Sequence, residues 1–437
     1  MPLLRGAYAL AVLALAGWII ASTSQREIPP VWVAVWAAAA LGLLLVPKFP
    51  EFALSVYVLM AYGVPYSSDE LSLLVDVYFL NAMCSVALAG WYAFGRRLPS
   101  AAGYKGWVNG LVVAFGLWVL ITYAITLIEG THWTPSPKHH PTKYYQVLVV
   151  FLLASQLLVD RGKAAIFAGA VCMTLVLRAL LQGDSSLYLD SYTSQLSVIL
   201  FPIGLLGFLI ARKSMIKFFF GILLLGLAWA TLVAQNRAAL IGAVAIAVTL
   251  VWHWRSKWRL LVLALPIAVF VAAVTLPTAY SNRFRAIWDP TAIHQTANLD
   301  RSTVWERIQL WNAGLQMVKD NTWFGVGPGN YPLVVGAYAP GKETLQAHNN
   351  FIGIAAETGL PGLALYLAVF ISAIFNAGAA AKPDNQSWPR FGGIGVQASL
   401  VGYLAIGLFS TRHDLVLAYL LAGWAVALAR QQTDEKS

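Results

Sequence analysis

Charged residues are scarce in this sequence. Asp, Glu, Lys and Arg make up 11% of the 437 residues and hydrophobic residues 59%, whereas soluble globular proteins are about 25% charged. No stretch long enough for a soluble domain of about 100 residues interrupts the apolar runs between Ala7 and Ala427. The composition therefore argues against a soluble enzyme and predicts an integral membrane protein with one sizeable loop.

Cysteine is nearly absent as well. The two cysteines, Cys84 and Cys172, lie inside apolar runs, where a thiol behaves as a small hydrophobe, so we expect no disulfide and no cysteine metal site. Three histidines share the loop at 132–140, but prolines surround them and no carboxylate supports them. We therefore expect no metal and no cofactor.

Although the formal net charge is +10, the chain lacks a continuous basic face. Its Lys and Arg residues stand in small clusters between apolar runs, a pattern that is typical of membrane topology and gives no reason to expect a nucleic-acid partner. Membrane lipids are the expected surroundings.

Fourteen apolar runs are candidate membrane spans, because about 20 apolar residues cross a bilayer as a helix. They are residues 6–22, 31–46, 51–66, 71–94, 107–127, 144–159, 164–181, 192–211, 216–234, 238–254, 260–276, 361–380, 391–409 and 415–429. Several are short enough to be re-entrant or fused, so we predict an all-α polytopic membrane protein with about 12–14 transmembrane helices.

The connections between successive predicted spans differ in positive charge according to the side of the membrane on which they fall. One side receives seventeen of the 29 Lys and Arg residues and the opposite short connections only five, so the positive-inside rule makes the first side cytoplasmic. We predict that both termini are cytoplasmic and that, in a bacterium, the protein lies in the inner membrane with its opposite side facing the periplasm. Its predicted parts are N-terminal transmembrane helices at 1–276, a large periplasmic loop at 277–360, and C-terminal helices with a short cytoplasmic tail at 361–437.

The predicted loop has order of its own. Its segment "DRSTVWERIQLWNAGLQMVKD" predicts an amphipathic helix that should lie against the membrane domain. The predicted apolar stripe consists of Val304, Ile308, Trp311, Leu315 and Val318. Thr303 and Glu306 have the spacing of a capping box at the start of this helix. The glycines of "GVGPG" at 325–329 then require a tight turn, and because they follow a helix, a phosphate loop is not expected.

Polar side chains at membrane depth are the candidates for function, because placing them there is costly. Arg237 stands in a very short connection between two apolar runs, beside Gln235 and Asn236. It either snorkels at a helix end or, with these neighbours, binds an anionic substrate group. Arg301 and Arg307 lie on the predicted loop helix. They are either exposed to solvent or close to the surface against which the apolar stripe packs.

The loop ends in "LQAHNNFIGIAAETGLPG". His348 is either a hydrogen-bonded structural group or a catalyst, and Asn349 and Asn350 cap the following helix or contribute to a site. Glu357 is either a helix-terminal carboxylate or a partner for one of the arginines. The sequence at 359–362 predicts a break in the helix.

Two segments together resemble a known signature. "ERIQLWNAGLQMVKDNTWFGVGPGNY" followed by "HNNFIGIAAETGLPGL" is similar to the R-x-x-x-W helix, G-V-G-x-G-x-[FY] turn, H-N-x-[FL] and E-x-G-x-x-G of the O-antigen ligase and polymerase superfamily. The resemblance implies transfer of a glycan from a polyprenyl diphosphate carrier at the periplasmic face. In the ligases the acceptor is a sugar of the lipid A core, which completes lipopolysaccharide.

What the resemblance implies for the site is specific. His348 corresponds to the catalytic histidine, Arg237 to the arginine between two spans, and Arg307 to the loop arginine, with Arg301 as a rival for that role. The arginines would neutralise the diphosphate leaving group without a metal, and direct displacement would invert the anomeric centre. Asn349, Gln235, Asn236 and Glu357 are further candidate substrate-binding residues.

The most favoured reaction is that of the ligase, with undecaprenyl-diphosphate-linked O-antigen as donor and the lipid A core as acceptor. A polymerase of the same superfamily remains an alternative. A protein glycosyltransferase commonly carries a further periplasmic region after the signature, whereas this chain ends directly after its last predicted span. A lipid-linked glycan transporter would more often show two related halves.

Overall fold

A computed structural model describes residues 2–24, 33, 37–38, 40–45, 51–62, 79–93, 107–129, 142–159, 161–181, 191–233, 236–253, 297–381 and 388–434. Regular structure in these residues is helical, and no strand occurs in them. The α-helices are α1 Pro2–Ser24, α2 Glu51–Tyr62, α3 Leu80–Ala93, α4 Trp107–Ile128, α5 Thr142–Leu157, α6 Arg161–Leu181, α7 Ser191–Ile210, α8 Ser214–Val233, α9 Arg237–His253, α10 Ala297–Asp320, α11 Tyr331–Tyr338, α12 Asn350–Ala380, α13 Trp388–Gly407 and α14 Val416–Asp434.

Four of the helices are long and apolar enough to cross a membrane, and six others are apolar but shorter. The four contain the segments Trp107–Ile128, Tyr192–Ile210, Ser214–Thr231 and Asn350–Ala380. The chain is therefore an all-α polytopic membrane protein, as predicted. The predicted run 260–276 lies outside the described residues and 31–46 is described only in part, so the span number stays a prediction.

The centre of the membrane domain is built around α12, α13 and α14. Helix α12 packs against α4, α13 and α14, while α13 also packs on α7 and α9, and α14 packs on α5. Small residues permit these close approaches. A Cβ added at Gly423 of α14 would lie 2.5 Å from the Phe151 carbonyl oxygen of α5, and one added at Gly393 of α13 would lie 2.5 Å from the Ala377 carbonyl oxygen of α12.

The buried face of α10 differs from the predicted apolar stripe. Ile308 and Leu315 of that stripe are 39% and 52% exposed, whereas Leu310, Ala313 and Met317 are fully buried. Those three residues form a separate small core with α11 and the start of α12. The stripe prediction was wrong for Ile308 and Leu315, because apolar residues occupy more than one face of α10 and only the face with Leu310, Ala313 and Met317 packs against neighbouring helices.

The predicted capping box was also wrong. Helix α10 begins at Ala297, so Thr303 and Glu306 lie inside it. The T-x-x-E spacing is a local signal that does not exclude helix upstream, and "ANLD" before Arg301 is compatible with further turns.

A kink divides α12 at the predicted break. Gly359 has φ 73° and ψ 178°, a non-helical conformation that is essentially restricted to glycine. Pro361 has no N–H, so the carbonyl of Glu357 loses its helical partner. The amide of Leu360 donates outside the helix, to the carbonyl of Thr322 at 2.9 Å. The predicted loop boundary at residue 360 lies directly after this kink.

The glycine turn at 325–329 satisfies the carbonyls that this kink exposes. The amide of Val326 donates to the carbonyl of Ala356 at 2.8 Å, and the amide of Gly327 donates to the carbonyl of Glu357 at 3.0 Å. Gly325, Gly327 and Gly329 all have positive φ, which confirms the predicted tight turn. The glycine turn at 325–329 and the kink at Gly359 are thus hydrogen-bonded to each other, and we call this contact the joint. It fixes the end of α10 against the beginning of α12.

Candidate active site

His348 lies immediately before α12 in an uncommon backbone conformation. Its φ is 51°, in the left-handed region that few non-glycine residues adopt. The side chain is half-buried, and its imidazole makes no hydrogen bond within the described part of the chain. Strained residues of this kind persist only where the surroundings impose them, and they concentrate at functional sites.

The next residue holds this segment in place. Asn349 caps α12, since its side-chain oxygen accepts hydrogen bonds from the amides of Phe351 at 2.9 Å and Ile352 at 3.0 Å. Its side-chain amide donates to the carbonyl of Leu408 at 3.1 Å. The geometry therefore gives Asn349 a capping role, and substrate binding by this residue stays a prediction.

The surroundings of His348 favour the neutral imidazole. Burial lowers its pKa below the ordinary value of 6.5, and the positive charges of Arg307 and Arg412 lower it further, against a smaller opposing effect of Glu306. Since each of these cations disfavours imidazolium, the ring is in its basic form at neutral pH. A histidine in this state is able to accept a proton.

Arg307 lies on α10 beside this histidine. Burial lowers the pKa of its guanidinium, and the nearby charge of Arg237 lowers it again. Its Nε is buried and has no hydrogen-bond partner in the described residues. The adjacent carboxylate, Glu306, is bonded to Lys342 at 2.9 Å. Arg307 is thus a partly desolvated cation that a bound anion would compensate.

Arg237 is the first residue of α9. Asn236 caps this helix, since its side-chain oxygen accepts from the amides of Ala238 at 2.9 Å and Ala239 at 3.2 Å. The positive end of the α9 dipole therefore adds to the charge of Arg237. Gln235 lies outside the described residues.

Arg301 lies earlier on α10, and its side chain is likewise outside the described part of the chain. Arg307 lies beside His348, and the choice between the two loop arginines for the diphosphate stays a prediction.

Glu357 is 1% exposed, and among the described side chains it forms no pair with an arginine. One carboxylate oxygen accepts from the amide of Tyr331 at 3.4 Å, and the other lies 3.3 Å from Nε2 of His413. Burial alone would lower the pKa of His413, but the hydrogen bond and charge of Glu357 and the charge of Asp414 outweigh burial and raise it. This buried pair ties α12 to the segment between α13 and α14.

The sequence reasoning missed this segment, residues 408–415, which we call the C-terminal connection. It carries "TRHD", where Arg412, His413 and Asp414 are three successive ionisable residues between apolar helices. Arg412 is one of the five basic residues in the predicted short connections opposite the cytoplasmic side. The available signal was the density of ionisable residues in so short a connection.

Three arginines are grouped around one histidine. Arg412 and Arg307 both act on His348, and Arg237 acts on Arg307. We call these four residues the arginine–histidine cluster. Within the described residues, no three His, Cys, Asp or Glu side chains come together as a metal site would require. The cluster can bind an anion and hold a neutral base beside it.

Comparison with known proteins adds a family. Residues 221–367, about a third of the chain, match the model of the family described as O-antigen ligase. The matched segment includes Arg237, Arg307, His348 and the joint between the glycine turn and α12, but not Arg412. No curated protein matches the chain. The match agrees with the resemblance of the two motifs and supports the O-antigen ligase and polymerase superfamily. Members of the matched family are glycosyltransferase-like enzymes.

Proposed function

We propose that the chain is an O-antigen ligase of lipopolysaccharide biosynthesis. It transfers O-polysaccharide from undecaprenyl diphosphate to a sugar of the lipid A core. The reaction takes place at the periplasmic face of the bacterial inner membrane, and both chain termini are cytoplasmic. The observation that carries the proposal is a neutral, half-buried histidine without a hydrogen-bond partner in the described residues, held beside partly buried arginines.

The donor binds through its diphosphate. The guanidinium groups of Arg237 and Arg307 donate to phosphate oxygens, for which their fixed geometry is suited. Negative charge on the diphosphate grows as the bond to the sugar breaks, so the arginines stabilise the transition state more than the bound donor. Arg301, Gln235, Asn236, Asn349 and Glu357 remain predicted substrate-binding residues.

The acceptor hydroxyl attacks the anomeric carbon from the side opposite the diphosphate. A new carbon–oxygen bond forms, the bond to the diphosphate oxygen breaks, and undecaprenyl diphosphate leaves with the electron pair. His348 takes the proton of the attacking hydroxyl as general base. A single displacement of this kind inverts the anomeric centre and requires no metal to carry charge.

The lipopolysaccharide of a deletion strain tests the reaction. We expect full-length O-polysaccharide to accumulate on its lipid carrier while the lipid A core stays bare, with both changes reversed by the wild-type gene. A core that carries a single repeat unit would identify a polymerase instead. Normal lipopolysaccharide in the deletion strain would contradict both activities.

A further inference from the structure

The C-terminal connection is fastened next to the predicted catalytic residue. The amide of Arg412 donates to the side-chain oxygen of Asn350, two residues after His348. The hydroxyl of Tyr403 donates to the carbonyl of Arg412 at 2.8 Å. Because both contacts involve the main chain, they fix the position of residue 412 whatever its side chain.

The side chain of Arg412 lies over an aromatic ring. Its guanidinium carbon is 4.5 Å from the ring centroid of Tyr192, at the beginning of α7. This contact holds the cation without using its N–H donors. The Nε of Arg412 is buried and has no hydrogen-bond partner in the described residues. The side chain is thus held in place while donor capacity remains.

A second arginine near the same ring provides a contrast. Arg178 lies 5.5 Å from the centroid of Tyr192, but its Nε donates to Thr193 at 3.1 Å and another nitrogen donates to the carbonyl of Tyr62 at 3.2 Å. The protein itself satisfies these donors, so Arg178 has an evident structural role. Arg412 has no comparable side-chain partners in the part of the chain that is described.

The neighbouring carboxylates are engaged with other cations. Glu306 contacts Lys342 at 2.9 Å and Glu357 lies 3.3 Å from His413. Asp414 lies 3.8 Å from Lys143. Among the described residues, Arg412 forms no ion pair, although its side chain is only partly exposed and its Nε is buried. Such a charge is costly unless an anion compensates it.

We propose that Arg412 is a third arginine of the donor site and binds a phosphate oxygen of the lipid-linked diphosphate. The inference rests on the proposed function, and it places a residue outside the matched family segment in contact with substrate. A diphosphate offers more oxygens and more charge than two arginines satisfy, so a further bidentate donor adds affinity and favours diphosphate over monophosphate. The charge effect of Arg412 on His348 agrees with a shared site.

Binding of undecaprenyl diphosphate to the full-length protein in nanodiscs tests the inference. We expect Arg412→Ala and Arg412→Gln to raise the dissociation constant roughly ten- to a hundredfold. Affinity for undecaprenyl phosphate should fall by a smaller factor, so that selectivity for the diphosphate is lost. The dissociation constant of Arg412→Lys should lie between those of the wild type and of Arg412→Ala, since lysine keeps the charge but not the paired donors.

The matched control is Arg212→Ala. Arg212 is exposed and follows the opposite end of α7, about 30 Å away by the rise of a 20-residue helix. The Arg212→Ala variant should bind undecaprenyl diphosphate with the affinity of the wild type. Since the main-chain contacts of residue 412 survive substitution, the variants should melt cooperatively.

Three outcomes would overturn the inference. Unchanged diphosphate affinity in Arg412→Ala and Arg412→Gln would do so, and if Arg307→Ala still weakened binding, the proposed function would stand. Loss of cooperative melting in Arg412→Ala and Arg412→Gln would show a purely structural side chain. A wild-type protein that fails to distinguish diphosphate from monophosphate would overturn the diphosphate mechanism as well.

Discussion

The backbone and the surroundings of His348 suit the proton transfer that we propose for it. Its left-handed backbone is held on one side by the fully buried Ala347 and on the other by the cap that Asn349 places on α12. The strain, of order 1–3 kcal/mol, keeps the ring where burial and two arginines keep it unprotonated. The sequence predicted the cap and the candidate base, but the conformation of the residue followed only from the structure.

The pH dependence of transfer reports this environment. As the proposed base, His348 acts only in its neutral form, and its pKa is lowered from the ordinary value of 6.5. The value of kcat/KM should therefore be constant near neutral pH and fall at lower pH, with a midpoint below 6.5. Arg307→Gln removes a positive charge that disfavours imidazolium, so the pKa should rise and the midpoint should move to higher pH. A midpoint that stays in place in this variant would contradict the assigned electrostatics.

At the scale of elements, the joint between the glycine turn and α12 holds the helix that begins directly after the proposed base. A Cβ at Gly359 would overlap the carbonyl of Trp323, and a Cβ at Gly325 would lie 2.5 Å from the Glu357 carbonyl oxygen. Both glycines also have positive φ. We expect Gly359→Ala and Gly325→Ala to destabilise the protein by about 3–5 kcal/mol, through backbone strain and overlap together, and to lower transfer.

Gly341 provides the control for this prediction. Its φ is 81°, but an added Cβ would meet nothing within 4 Å. Gly341→Ala should therefore carry only the strain of a left-handed residue, about 1–2 kcal/mol, and leave transfer unchanged. Thermal melting of the purified variants measures the difference. Equal loss of stability in all three variants would show that the joint is not closely packed.

The elements differ in how far the sequence predicted them. The glycine turn, the Asn349 cap and the break in α12 were predicted because glycine, proline and asparagine have conformational demands of their own. The buried face and the first residue of α10 were not, because apolar residues occupy several of its faces and only tertiary contact selects one. Gly314 illustrates the point, since a Cβ there would overlap Ile352 of α12.

At the scale of the whole molecule, the cluster brings together four distant parts of the chain. Arg237 begins α9, Arg307 lies on α10, His348 precedes α12, and Arg412 lies in the C-terminal connection. Resemblance indicated the first three from local motifs. Arg412 could be recognised only from the packing of α13 and α14 against α12, since its own segment carries no motif. The pairing of Glu357 with His413 was hidden for the same reason.

The central claim is that His348 is the base, and transfer by the purified chain in nanodiscs tests it most directly. His348→Gln should melt like the wild type and bind the donor, yet lose at least about a hundredfold in rate, the contribution of a general base. His253→Gln is the matched control, because His253 contacts Gln397 near the far end of α9, and it should transfer normally. A His348→Gln protein that transfers glycan at the wild-type rate would contradict the account.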